Sequence, residues 1–116
     1  AFHYMVAAAG GNDIPVVPYA TFGTEELSRH VVAGLRARNA CLMANHGQIA
    51  VAGTIGAALE LAHEVEVLAG MYLQVLAIGS VHVLDDAEME RVIELFKSYG
   101  QRAQSAASRQ SREPSR

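Results

Sequence analysis

The 116-residue sequence predicts an α+β fold in which three helices pack on a few short, largely antiparallel strands. Three observations carry that expectation. Apolar residues recur at three- and four-residue steps in three separate stretches, which is helical spacing. Short apolar runs bounded by Asn, Asp, Gly and Pro lie between those stretches. Hydrophobic residues make up 51% and charged residues 18%, with a mean hydropathy of +0.15, so the chain has enough apolar surface for a core. Three short strands leave open edges and an uncovered face, so further strands are expected from elsewhere.

The opening segment is rich in aromatic residues, and Tyr4, Tyr19 and Phe22 read there as core or interface groups. Gly10-Gly11-Asn12 is a flexible bend that lacks any phosphate-loop pattern. A short strand is expected at Ile14–Val17, between Asn12-Asp13 and Pro18. Thr24 is a natural helix cap, with Glu25 and Glu26 in the first turn where the helix dipole favours anions. Leu27, Val31 and Leu35 then mark one apolar face down to about Arg38. Ala40–Ala44 and Gln48–Ala52 flank Asn45-His46-Gly47, the pattern of a tightly joined strand pair with Gly47 freeing the bend.

Thr54 opens the longest helix, whose buried face is marked by Leu61, Val65, Leu68, Tyr72 and Val75 and whose end is Gly79. Val67–Leu84 has no formal charge, but Gln74, Gly79, Ser80 and His82 interrupt it, and a spanning helix needs ~20 apolar residues. A buried helix of a soluble protein, with no membrane partner, is therefore expected. Asp85 with Glu88 resembles a capping box, Met89, Val92, Ile93 and Phe96 form the next apolar face, and Gly100 is a natural terminator. The Ser-, Arg- and Gln-rich segment 101–116 is expected to be a mobile, disordered tail behind a domain of residues 1–100.

Charge excludes one class of function. Nine Lys and Arg face twelve Asp and Glu, a net of −3, and before Gln101 five basic residues face eleven acidic ones, a net of −6. Such a surface does not bind nucleic acid through phosphate contacts. The lone Cys41 excludes an internal disulfide and fits a reducing, cytoplasmic setting. The chain starts with Ala1 and runs straight into an apolar segment without a leader, as if entered partway through a larger protein.

Of five histidines, His46 alone sits where two strands meet. A sheet would hold its imidazole fixed at the edge of a cleft, which suits a metal ligand, although a plain turn histidine fits the same spacing. His63-Glu64 lacks the second histidine of a zincin motif, since residue 67 is Val. His30 and His82 have no such setting. Tyr99, beside Gly100, either packs its ring or reaches a cleft as a general acid.

Read together, His3–Val31, the NHG of Asn45–Gly47, Ala62–Gly79 and Leu95–Gly100 resemble the class II aldolase/adducin family, from Ala1 to about Arg102. The resemblance covers the C-terminal half of such a subunit. It implies a three-layer α/β/α fold and a homotetramer with active sites at subunit interfaces. It implies a zinc-dependent, cytoplasmic lyase that cleaves a phosphorylated sugar, a ketose 1-phosphate such as L-fuculose 1-phosphate, to dihydroxyacetone phosphate and L-lactaldehyde. His46 matches a zinc-binding histidine and Tyr99 a site-lining tyrosine near the C-terminus. Tyr4 matches a tyrosine supplied by a neighbouring subunit that protonates the aldehyde oxygen, and Phe22 an apolar wall for the aldehyde end. The family's His-x-His pair, catalytic glutamate and phosphate-binding loops precede the matched region, so the segment alone is expected to be inactive. Within the family, a pentulose-phosphate 4-epimerase and a sugar-acid-phosphate decarboxylase share the chemistry, and an adducin-head-like assembly module shares the fold without it.

Overall fold

The computed structural model describes residues 1–110, with side chains through Ser98. It opens with a 3₁₀ helix, Tyr4–Ala9, that sequence periodicity did not announce. His3 Nδ1 accepts the Met5 N–H at 3.2 Å, and Gly10, at φ +91°, closes the turn by donating its N–H to the Ala7 carbonyl. The segment is held because Val6, Ala7 and Ala9 are buried, not because it is long.

Strand β1 (Val16–Val17), helix α1 (Glu25–Gly34) and strand β2 (Ala40–Met43) follow. Thr24 caps α1 as expected, its hydroxyl accepting the Leu27 N–H at 3.3 Å. The helix stops at Gly34, short of Arg38. A Cβ on residue 34 would lie 2.6 Å from Val17 Cγ1, so α1 crosses the sheet too closely there to carry a side chain. Arg38 instead turns back to the opening segment, donating through Nε to Asp13 Oδ1 at 2.7 Å and through Nη2 to Asn12 Oδ1. Asn12 donates in turn to Asp86. With Asp13 largely exposed this ion pair contributes only ~0–1 kcal/mol, and its effect is to orient the bend.

β2 pairs with β3 (Gly47–Ala50) in the antiparallel register Ala40↔Ala50 to Met43↔Gly47. β1 pairs with β2 in parallel, so the largely antiparallel sheet expected is a mixed one here. The reason is connectivity: α1 is a crossover that returns the chain alongside β1 in the same direction. The sheet order is β1-β2-β3, and Val16 on the outer strand is 63% exposed.

Helix α2 (Ile55–Ile78) is capped by Thr54, whose hydroxyl accepts the Ala57 N–H, and closed by Gly79 at φ +84°. Helix α3 (Asp86–Gln110) starts where Asp85 Oδ1 accepts the Glu88 N–H at 2.8 Å. Half of the expected box is missing, because Glu88 pairs with Arg91 instead. The backbone of α3 continues past Gly100, so that glycine is not the terminator it was expected to be. The expectation of a disordered tail falls partly on residues 111–116, which lie outside the described residues.

The core has two parts. Val6, Ala7, Leu68, Met89 and Val92 join the 3₁₀ helix to α2 and α3, and Ala9, Ala40 and Val65 join it to the sheet. Only one edge of α2 is used: Val65 and Leu68 are buried, while Ile55, Leu59, Leu73 and Ile78 are each more than two-thirds exposed. The expected buried face is therefore met at Val65 and Leu68; Leu61 and Val75 are half-buried, and Tyr72 is exposed because the described residues leave that end of the face largely uncovered. Its length and composition would allow it to cross a membrane. Glu60, Glu64 and Glu66 along it would each have to leave water, at a cost of several kcal/mol.

Candidate active site

His46 stands at the hairpin bend between β2 and β3. Asn45 has φ +55°, the only positive φ outside glycine among the described residues, and the His46 N–H donates to the Met43 carbonyl at 3.0 Å. Asn tolerates this left-handed conformation better than most residues. The reversal leaves the His46 side chain exposed at the rim of an open cleft of about 410 Å³. The ring makes no hydrogen bond among the described residues. His30 contrasts with it: its Nδ1 lies 3.1 Å from the Pro18 carbonyl, which can only accept, so that nitrogen carries the proton.

Two further residues enter the His46 cleft that sequence reasoning missed, Gln48 and Glu66. Gln48 Nε2 donates to the Ala62 carbonyl at 2.8 Å and approaches Glu66 Oε2 at 3.4 Å. Both partners are acceptors, which fixes the amide orientation. Gln48 Oε1 is then a buried acceptor without a donor. Gln48 lies two residues beyond His46 at the start of the same strand, so its proximity in sequence was the available signal. Nothing local could have placed Glu66, which arrives through the packing of α2 on β3.

The other candidates are not gathered around His46 within this chain. Tyr4 is half exposed, stacks on His3 with ring centroids 4.8 Å apart, and lines an apolar groove with Met5, Val92, Leu95 and Phe96. Phe22 is 79% exposed on the loop before α1. Tyr99 falls on the backbone of α3, and its side chain lies outside the described residues. Cys41 is fully buried, and burial pushes its thiol pKa up, which makes it an inert core group. As a metal donor set the described residues supply a single well-placed imidazole; they contain no group of three potential ligands.

A fold of this kind, with an imidazole fixed at a hairpin bend, defines a class, and the comparisons name it. The sequence profile of the class II aldolase and adducin N-terminal domain matches residues 1–73, and the chain belongs to that family. Among individual relatives, the chain is 58% identical over 104 residues to the 5-methylthioribulose-1-phosphate/5-deoxyribulose-1-phosphate aldolase of Rhodospirillum rubrum, covering 90% of this chain and 47% of the relative. It is also 58% identical over 103 residues to the L-fuculose phosphate aldolase of Escherichia coli K12, covering 88% and 48%. A solved structure of an L-fuculose 1-phosphate aldolase superposes with a TM-score of 0.80 at 42% identity, covering 84% of this chain and 45% of that one. The chain therefore spans about half the length of the relatives it matches.

Proposed function

We propose that the full-length protein is a zinc-dependent class II aldolase that cleaves a ketose 1-phosphate, such as L-fuculose 1-phosphate, into dihydroxyacetone phosphate and L-lactaldehyde. The observation that carries this reading is His46, presented unpartnered at a rigid bend in a chain whose relatives bear aldolase names. On this reading His46 is one zinc ligand, and the others lie outside this chain. Bound there, the ion supplies Lewis acidity at the substrate's carbonyl oxygen.

The remaining roles belong to the chain's own side chains. Cleavage removes the proton from the hydroxyl on the carbon that becomes the aldehyde, and condensation returns it. The phenol oxygens of Tyr4 and Tyr99 accept that proton in cleavage, and a proton is delivered to the carbon left with the electron pair of the broken bond, giving dihydroxyacetone phosphate. Phe22 packs against the aldehyde's apolar end and keeps water from it. Tyr4, Phe22 and His46 lie on separate surfaces of one chain, which supports sites completed between subunits of a homotetramer. The buried free thiol of Cys41 fits a cytoplasmic protein.

A second reading concerns the sugar. The Rhodospirillum rubrum relative matches as well as the Escherichia coli one, which supports a 5-deoxy- or 5-methylthio-pentulose 1-phosphate as the alternative substrate. Assay of the full-length protein against these sugar phosphates and L-ribulose 5-phosphate decides the matter. Dihydroxyacetone phosphate release from one of the ketose 1-phosphates is expected. Turnover of the pentulose 5-phosphate without carbon–carbon cleavage would overturn the aldolase reading in favour of a 4-epimerase.

A further inference from the structure

The unpartnered oxygen of Gln48 points to a role that its neighbours explain. A buried acceptor without a donor is uncommon in a native structure and calls for a partner. The amide cannot turn over to find one, because its nitrogen already faces the Ala62 carbonyl and the Glu66 carboxylate. The partner must therefore come to the oxygen. Two side chains with N–H groups to donate, Asn45 and His46, share the cleft with Gln48. Both belong to the bend that leads into β3, and of the two only His46 is the proposed metal ligand.

An imidazole that binds a cation through one nitrogen carries a proton on the other, and that N–H needs an acceptor to fix the ring. We infer that Gln48 is a positioning residue for His46, its amide oxygen accepting the ring N–H when the cation is bound. The inference rests on His46 being a metal ligand. Gln48 reaches the ion only through His46, and its nitrogen anchors the pair to α2. The hairpin and the long helix thus share the work of aiming one ring.

Two substitutions in the full-length protein separate the acceptor from the anchor. Gln48→Leu removes both. Gln48→Glu keeps an oxygen for His46 and loses the donor to Ala62. The readouts are zinc affinity, by competition with a chromogenic chelator, and the Tm of the zinc-free protein. Gln48→Leu is expected to weaken zinc binding by ~10–100-fold, the usual effect of losing such a supporting bond, with the zinc-free Tm lowered no more than in Gln48→Glu, which loses the same tie to Ala62. Gln48→Glu is expected to restore it. Wild-type affinity in Gln48→Leu, or an affinity loss in Gln48→Glu equal to that in Gln48→Leu, overturns the acceptor role. A zinc-free Gln48→Leu protein that melts lower and binds zinc normally overturns it too, by making Gln48 a structural tie alone. His46→Ala serves as the reference. If it keeps the zinc of the wild type, the ligand reading itself fails; if it loses zinc while Gln48→Leu does not, only the positioning role fails.

Discussion

The hairpin that carries His46 and the loop that carries Phe22 are both short bends leading out of a strand, yet they are held very differently. The hairpin is fixed along its length by the β2–β3 ladder, at its tip by the left-handed Asn45, and from the side by the Gln48 amide, which donates to the Ala62 carbonyl on α2. The Phe22 loop is tied near its ends, where His30 meets the Pro18 carbonyl, Ala20 is buried and the Thr24 hydroxyl donates to the Thr21 carbonyl at 2.7 Å. Its tip, with Gly23 at φ +75°, touches nothing that a Cβ would meet. One bend fixes the backbone that carries its side chain, and the other holds its tip far more loosely. That difference suits the roles proposed above for His46 and Phe22. A metal ligand has to be oriented before the ion arrives, whereas an apolar wall needs area and can take its orientation from whatever packs on it.

The largest effect expected is at the hairpin tip. His46→Ala in the full-length protein should strip the zinc and abolish turnover, since the supporting residues around a ligand alone already account for ~10–100-fold. Metal analysis of the purified variant checks this; full zinc occupancy with normal turnover would reduce His46 to a turn residue. Next comes Tyr99→Phe, which keeps the ring and should keep the zinc while lowering kcat by ~10²–10⁴-fold, the usual contribution of a positioned proton transfer. Tyr4 can share the task and soften the loss. A near-normal kcat would remove Tyr99 from the catalytic groups.

The backbone of the tip offers a finer test. Asn45→Val forces a β-branched residue into φ +55° and should cost about 1–2 kcal/mol in urea unfolding, whereas Asn45→Gly should cost far less. Equal stability of the two variants would mean that the bend relaxes and does not fix His46. The smallest effect belongs to the loop. Phe22→Ala should leave stability within about 0.5 kcal/mol, because the ring is already exposed, and should act on KM for the aldehyde-bearing substrate. A stability loss in the assembled protein would show that a neighbouring subunit buries Phe22, and the two bends would then differ only in who holds them.

Much of the chain was legible beforehand because its signals are local. Thr24, Thr54 and Asp85 cap the helices they precede, Gly79 closes α2, and the NHG bend joins the two strands that its flanks suggested. The buried face of α3 is led by the expected Met89 and Val92. The opening 3₁₀ helix was missed because its identity lies in burial, not in periodicity. Gly100 misled for the opposite reason: glycine favours helix ends, but its cost of ~1 kcal/mol within a helix is small enough for the surrounding turns to override.

The sequence by itself determined where the helices begin, which residues could form a hairpin with His46 at its bend, and that residues 1–100 are acidic. Only the tertiary structure decided that β1 runs parallel to β2, that α2 buries one edge and leaves the other open, and that Gln48 and Glu66 enter the His46 cleft. Caps and bends are set by hydrogen bonds between residues a few positions apart, and the sequence writes those down directly. Strand direction, helix facing and cleft lining depend on which distant segments meet. Ala62 and Glu66 reach Gln48 only after α2 has packed across the sheet, and no spacing along the chain encodes that meeting.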